Sequence, residues 1–292
     1  MSKIAANGIQ IEFVEKGSRE SASLILIRGL GTQLIDWPED FIDELVGQGF
    51  HVIYFDNRDV GLSQNFNDSG APDIGEIARG EAQPAYTLQE MADDVVGLMD
   101  ALNIEKAHVM GISMGGMINQ VLAASHGDRL LSMISVMSSS GREGLPAATP
   151  AAQASLVAQP DPDGGVEAVD QLTAQGLEIC GSPGYPQSLE ERLHIAKRRR
   201  ERNYNPGGIA RQMAAVVAFG SRVELLATIK VPSLVIHGAD DPLIPLAAGE
   251  DTASSIPGCA LKVIPGMGHN IPDGVVPILA EAIVSFCRKV SL

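Results

Sequence analysis

One serine in this sequence is placed to attack a carbonyl group. The pattern Gly-x-Ser-x-Gly runs from Gly111 to Gly115 with Ser113 at its centre. Residues 106–111 read as a short buried strand, and residues 114–125 read as a helix packed against it. A sharp turn between a strand and a helix exposes the serine hydroxyl above a sheet, and the glycines permit the close backbone approach of that turn. The sequence therefore predicts a nucleophile at Ser113, with a plain surface turn as the alternative.

A serine nucleophile needs a base that takes its proton and a carboxylate that orients the base. His269 is the best candidate base, because it follows the apolar run 260–264 on a glycine-rich loop at the end of a strand. Ligand sites in open α/β sheets form outside such strand ends. Asp240 and Asp241 follow the apolar run that begins at residue 233, and on position alone both remain candidates for the acid. No cluster of His and Cys residues has the spacing of metal ligands, so we expect neither a metal nor a cofactor.

The developing oxyanion needs N–H groups that already point at it. One donor should be the N–H of Met114, which directly follows the nucleophile at a helix N-terminus, where the helix dipole favours negative charge. The second should come from the glycine-rich loop Arg28-Gly29-Leu30-Gly31, which follows the apolar strand 23–27. We assign this second donor to Leu30.

Strand and helix patterns alternate along the chain, which predicts an α/β fold with a mostly parallel sheet covered on both faces. Residues 8–14 alternate like a half-exposed edge strand. Residues 140–226 read as a helical cap inserted between two parts of an α/β core, 1–139 and 227–292. Such a lid excludes water and shapes a pocket above Ser113. The basic run 197–202 in this cap predicts a solvated helix face, with guidance of an acidic substrate as the alternative.

Composition and charge exclude several classes of partner. The chain has 292 residues and a net charge of −15, which argues against nucleic acid and anionic membrane surfaces. No apolar run approaches the roughly 20 residues that span a bilayer. The three cysteines are too widely spaced for a disulfide framework, and the N-terminus lacks the apolar core of a signal peptide. We therefore expect a cytoplasmic protein that binds a small molecule.

Together these motifs resemble the α/β-hydrolase family of serine esterases. The matching segments share the family's order along the chain, and they are 28–31, 56–63, 111–116, 237–242 and 268–269. The resemblance implies an eight-stranded type of sheet with an inserted helical cap. It also implies Ser113 as nucleophile, Asp241 as acid and His269 as base, with Leu30 and Met114 as oxyanion donors.

Within the family, segments 36–41, 49–53 and 56–59 are similar to the aclacinomycin methylesterase group, which acts on esters of bulky polyketides. The chain departs from the family at Arg28, where His usually precedes Gly29. This arginine either pairs with an acid or meets a substrate carbonyl or carboxylate. Our candidate substrate-binding residues are Arg28, Gly29, Met137 and Asn270.

These observations predict a serine hydrolase that cleaves a carboxylic ester or a lactone through an acyl-enzyme, with a bulky polyketide or macrolide-like ester as a possible substrate. The same three residues also serve C–C bond hydrolysis, enol-lactone hydrolysis and cofactor-free perhydrolysis, which stay as alternatives. Outside the enzymes, the alternative is a small-ligand receptor built on the same fold.

Overall fold

Eight strands form one sheet in the computed structural model, which describes residues 1–290. In chain order the strands are β1 (Ser2–Ala6), β2 (Ile9–Lys16), β3 (Ser23–Ile27), β4 (His51–Phe55), β5 (Ala107–Ile112), β6 (Leu130–Val136), β7 (Ser233–Gly238) and β8 (Ala260–Ile264). Their spatial order is β1-β2-β4-β3-β5-β6-β7-β8. The pairs β1–β2 and β2–β4 are antiparallel, and the remaining pairs are parallel. The predicted mostly parallel sheet is confirmed.

The predicted edge position of residues 8–14 is wrong. β2 is the second strand of the sheet, because β1 pairs along it with Ser2 opposite Phe13 and Ala6 opposite Ile9. β1 is the outermost strand on that side, and most of its residues are exposed. Within these residues Gln10 is exposed, whereas Ile9, Ile11, Glu12 and Phe13 are buried, so the alternating sequence did not mark a half-exposed edge.

Helices cover both faces of the sheet. They are α1 (Glu39–Gly47), α2 (Ile74–Ala78), α3 (Leu88–Ala101), α4 (Met114–Ser125), α5 (Pro150–Val157), α6 (Gly165–Ile179), α7 (Leu189–Arg202), α8 (Pro206–Phe219), α9 (Val223–Leu226), α10 (Leu246–Ser255) and α11 (Val276–Val290). One buried apolar cluster joins the sheet to α3 and α4, and a second joins it to α1 and α11. β3, β4, β5 and β7 are buried along their whole length, as expected of parallel strands between two helical layers. None of the helices described here is long and apolar enough to cross a membrane.

The segment between β6 and β7 contains the helices α5 to α9. α6 and α7 pack against each other, while α8 contacts α2 and α3 of the core and α9 contacts α4 and α10. We propose that residues 140–226 form a cap unit on the α/β core, because they leave the sheet after β6 and return to it only at β7.

The basic run 197–202 on α7 is only in part the solvated face that its sequence predicted, because Lys197 and Arg198 are exposed but the other arginines are partly buried. Arg199 Nε lies 2.8 Å from Asp36 Oδ1, and Arg202 Nη2 lies 2.7 Å from Asp56 Oδ2. Both acids are buried and belong to core loops that follow β3 and β4. These arginines therefore connect α7 to the core through ion pairs that are partly shielded from water.

The buried histidine of β5 should make the stability of the fold depend on pH. Burial lowers the pKa of His108 from 6.5 to about 4. Below pH 6.5 the unfolded chain then takes up a proton that the folded chain does not, so stability falls as pH falls. At pH 5 the loss from this residue is on the order of 2 kcal/mol. Urea unfolding at pH 7 and pH 5 should show a larger loss for the wild type than for His108→Gln, and equal losses would contradict this expectation.

Candidate active site

Ser113 lies on a strained turn between β5 and α4. Its φ is 53° and its ψ is −120°, a conformation that costs a residue with a side chain about 1–3 kcal/mol. The turn is fixed by the Ser113 N–H, which donates to the Val136 carbonyl at 2.9 Å. A Cβ on Gly111 would overlap the Gly115 carbonyl, and a Cβ on Gly115 would overlap the backbone carbonyls of Ile27 and Arg28 at the end of β3. Both glycines of the pattern are therefore required by close backbone packing.

A chain of two hydrogen bonds links Ser113 to a buried acid. His269 Nε2 lies 3.0 Å from Ser113 Oγ, and His269 Nδ1 lies 2.7 Å from Asp241 Oδ2. The other oxygen of this carboxylate, Oδ1, accepts the N–H groups of Leu243 at 2.9 Å and Ile244 at 2.8 Å. The Asp241 side chain is fully buried. The structure thus brings together the three residues that the sequence proposed as nucleophile, base and acid.

The neighbouring acid Asp240 points elsewhere. It is exposed, and its Oδ2 accepts the N–H of Gly266 at 2.9 Å. Of these two adjacent acids in the described chain, only Asp241 contacts His269 through its carboxylate. Asp240 instead stabilises the loop that carries the histidine, because its hydrogen-bond partner Gly266 lies three residues before His269.

A second buried histidine supports the acid loop. His237 Nε2 lies 2.7 Å from the Ile244 carbonyl, so this nitrogen carries the proton and donates it. Burial lowers the pKa of His237, and its Nδ1 has no hydrogen-bond partner within residues 1–290. His237 is therefore neutral, and it fixes the end of the turn that begins at Asp241.

The loop that carries His269 is held by the segment between α6 and α7. The His269 N–H donates to the Cys180 carbonyl at 2.8 Å, and the Gly268 N–H donates to Ser182 Oγ at 2.8 Å. Ser182 Oγ in turn donates to Asn270 Oδ1 at 2.5 Å. We call residues 180–184 the clasp segment. Asn270, which the sequence proposed as a substrate contact, lines the cavity but has its amide engaged by Ser182 and Gln187.

Two backbone amides beside Ser113 are open. No acceptor within residues 1–290 receives the N–H of Leu30 or the N–H of Met114, and both residues line the same cavity as Ser113. Met114 is the first residue of α4, where the helix dipole favours negative charge. Gly29 lets its loop approach the serine, since a Cβ there would lie 3.1 Å from Ser113 Cβ and 3.6 Å from Ser113 Oγ. The two N–H groups proposed as oxyanion donors are therefore available to a ligand.

A cavity of about 1110 Å³ lies between the core and residues 148–216. Ser113, His269, Arg28, Gly29 and Met137 all line it. Much of the lining is apolar, namely Leu30, Met117, Met137, Leu156, Leu177, Met213, Val216, Leu243 and Ile244.

Trp37 and the α8 residues Met213 and Val216 also line this cavity, and none of them was among the site residues predicted from the sequence. Their roles depend on how the segment between β6 and β7 folds back over the sheet, so no local pattern marks them. Within residues 1–290 no group of three His, Cys, Asp or Glu side chains is arranged to hold a metal ion.

Known proteins resemble this chain over nearly its whole length. It is 26% identical over 300 residues to rhodomycin D methylesterase DauP of Streptomyces sp. (strain C5), with 94% of each chain covered. It is 27% identical over 301 residues to the putative carbamate hydrolase RutD of Caulobacter sp. (strain K31), with 98% of each covered. The resemblance to the methylesterase group is thereby confirmed, and these names support a hydrolase.

Solved structures share the fold. The enol-lactonase from Burkholderia xenovorans LB400 matches with a TM-score of 0.72 and 21% identity, covering 98% of this chain and 100% of that chain. A mutant of the meta-cleavage product hydrolase from Pseudomonas fluorescens IP01, complexed with acetates, matches with a TM-score of 0.76 and 22% identity, covering 99% and 98%. The family model described as alpha/beta hydrolase fold matches residues 22–178, which is more than half of the chain. This protein therefore belongs to the α/β-hydrolase fold family.

Proposed function

We propose that this protein is a serine hydrolase that cleaves a carboxylic ester or a lactone. The observation that carries the proposal is the hydrogen-bonded series from Ser113 through His269 to Asp241, with contacts of 3.0 Å and 2.7 Å. This is the arrangement that activates a serine hydroxyl in acyl transfer. The similarity to a methylesterase favours an ester as the bond that is cleaved.

In the first half of the proposed reaction, Ser113 Oγ attacks the carbonyl carbon while His269 Nε2 takes the hydroxyl proton. Asp241 holds Nδ1 of His269 and stabilises the imidazolium that forms. The carbonyl oxygen becomes an oxyanion, which accepts hydrogen bonds from the N–H groups of Leu30 and Met114. The ester C–O bond then breaks, the alcohol leaves with the proton from His269, and Ser113 keeps the acyl group.

The second half regenerates the enzyme. His269 takes a proton from a water molecule, whose oxygen attacks the acyl carbon and again forms an oxyanion at the two amides. The bond to Ser113 Oγ breaks, and the serine recovers its proton from His269. The products are the carboxylic acid and the alcohol, so the two halves balance as hydrolysis.

The cavity supports a bulky substrate. Its volume of about 1110 Å³ exceeds the range of about 300–1,000 Å³ that is usual for ligand pockets. Methionines at positions 117, 137 and 213 supply flexible apolar surface that adapts to irregular acyl or alcohol groups. A large ester fits this cavity better than a short aliphatic one.

Covalent labelling tests the proposal and separates it from a receptor that only binds a ligand. A fluorophosphonate probe followed by peptide mapping should label Ser113 in the wild type and should not label Ser113→Ala. Ser254→Ala is the matched control, because Ser254 is exposed on α10, donates to the Asp251 carbonyl and does not line the cavity. This control should label as the wild type does. Folded wild-type protein that stays unlabelled would favour the receptor.

A further inference from the structure

Arg28 presents an unusual guanidinium to the cavity. The residue follows β3, is only 7% exposed and lines the same cavity as Ser113. Its guanidinium makes one hydrogen bond, from Nε to Thr32 Oγ1 at 3.3 Å. Among residues 1–290 no carboxylate oxygen lies within 4 Å of it, and its two terminal nitrogens have no acceptor. Because a guanidinium carries five N–H donors, most of the donors of Arg28 remain available.

The other buried arginines of the described chain are held by several acceptors. Arg58 makes two 2.7 Å hydrogen bonds to the Asp94 carboxylate. Arg222, which has no acid partner, donates to Gln120 Oε1 at 3.0 Å and to two backbone carbonyls at 2.7 Å and 2.8 Å. Arg192 and Arg211 likewise contact both an acid and a carbonyl oxygen. Arg28 departs from this pattern, although burying an unpaired charge is costly.

The surroundings of Arg28 do not neutralise its charge. Asp36 is the nearby acid, but its Oδ1 is 2.8 Å from Arg199 Nε and its Oδ2 accepts the Gln33 N–H at 2.8 Å. Burial lowers the pKa of Arg28 to about 10, with Asp36 raising it and Arg199 lowering it. At pH 7 the guanidinium is therefore still protonated. The indole ring of Trp37 lies 4.6 Å from the guanidinium carbon and gives it a cation–π contact.

We propose that Arg28 binds a carboxylate that the substrate carries in addition to the bond that is cleaved. The guanidinium fork matches the two oxygens of a carboxylate, and such charge-assisted hydrogen bonds are roughly twice as strong as neutral ones. Arg28 and the open amide of Leu30 line the same cavity, so one ligand can reach both groups. The substrates are then acidic esters or lactones, an assignment that rests on the proposed function for the bond that breaks.

The single tryptophan of the chain gives a direct assay for this binding. Trp37 is the only tryptophan in the sequence and contacts the Arg28 guanidinium, so its emission should report a ligand there. The assay uses the Ser113→Ala variant, which should bind the ester probes without hydrolysing them. The probes are monoesters of dicarboxylic acids from succinate to suberate with cyclohexylmethanol as the bulky alcohol, each paired with the neutral cyclohexylmethyl ester of the same acyl chain length. For at least one length, the acidic ester should bind about tenfold or more tightly than its neutral partner.

Variants of Arg28, made in the Ser113→Ala protein, test whether Arg28 causes the preference for acidic over neutral esters. Arg28→Met should weaken binding of the preferred acidic ester by about 10- to 100-fold, and Arg28→Lys should weaken it less because the charge remains without the fork. Arg79→Met is the matched control, since it removes the same charge from an exposed loop where Arg79 pairs with Glu81. Circular dichroism shows whether each variant is folded. Equal binding of acidic and neutral esters across the series, or equal weakening of both by Arg28→Met, would overturn the inference.

The two proposals fail in different ways. Labelling of Ser113 without any preference for acidic esters would retain the serine hydrolase and remove the carboxylate site. Selective binding of acidic esters through Arg28, in a protein that does not react with the fluorophosphonate, would retain the carboxylate site and remove the hydrolase.

Discussion

Replacing His269 with alanine is expected to lower kcat for ester hydrolysis by about four to six orders of magnitude. His269 Nε2 is the basic nitrogen within hydrogen-bond distance of Ser113 Oγ, at 3.0 Å. Without it the hydroxyl proton has no acceptor in the described chain, and the leaving alcohol has no proton donor. The open amides of Leu30 and Met114 remain, so a residual rate above that in water should survive. Initial rates with a series of p-nitrophenyl esters measure the effect.

His126→Ala is the matched control for this prediction. His126 also contacts a carboxylate, with Nε2 2.8 Å from Asp93 Oδ1, but it lies at the end of α4 and does not line the cavity. We expect this variant to keep turnover close to that of the wild type. Turnover close to the wild-type rate in folded His269→Ala would remove His269 from the mechanism.

Replacing Asp241 with asparagine should lower kcat by about 10⁴-fold. Asparagine can keep an oxygen at the position of Oδ1, which accepts the N–H groups of Leu243 and Ile244. Its amide nitrogen would then face His269 Nδ1, which lies 2.7 Å from Oδ2 in the wild type. A donor at this position forces the proton onto Nε2, so the histidine can no longer accept the proton of Ser113.

Asp240→Asn tests whether the effect belongs to one acid. The change is chemically identical and one residue away, but the Asp240 carboxylate contacts the Gly266 N–H and not the histidine. We expect a loss of less than about tenfold, because an amide oxygen can still accept that N–H. If Asp240→Asn proved the more damaging variant, the assignment of the acid would have to be reversed.

The fold was predictable because its strongest signals are local. The pattern from Gly111 to Gly115 needs only a strand, a turn and a helix that are consecutive in the chain, and the structure contains them as β5, Ser113 and α4. The alternation of strands and helices likewise predicted a parallel sheet with helices on both faces, and the α/β-hydrolase fold is confirmed. The order of the motifs along the chain carried the family assignment.

Features that depend on distant partners were not predictable. The basic run on α7 gave the pattern of a solvated face, yet Arg199 pairs with Asp36, which lies 163 positions earlier. The same pairing leaves Arg28 without an acid, although Asp36 lies only eight residues after it in the sequence. The cavity wall is built from core loops and from helices within residues 148–216, so its shape follows from three-dimensional packing that single segments do not encode.

The clasp segment limits how the cavity can open. Residues 180–184 hold the His269 backbone, the Gly268 N–H and the Gly266 carbonyl through separate hydrogen bonds. We expect a movement that lifted this stretch to displace His269 from Ser113, because these hydrogen bonds join residues 180–184 to the loop of the histidine. We therefore expect a substrate to enter elsewhere between the core and residues 140–226. An engineer who replaced the helices of residues 140–226 with those of a relative would need to retain residues 180–184. Without them the loop that carries His269 would lose the hydrogen bonds that position it.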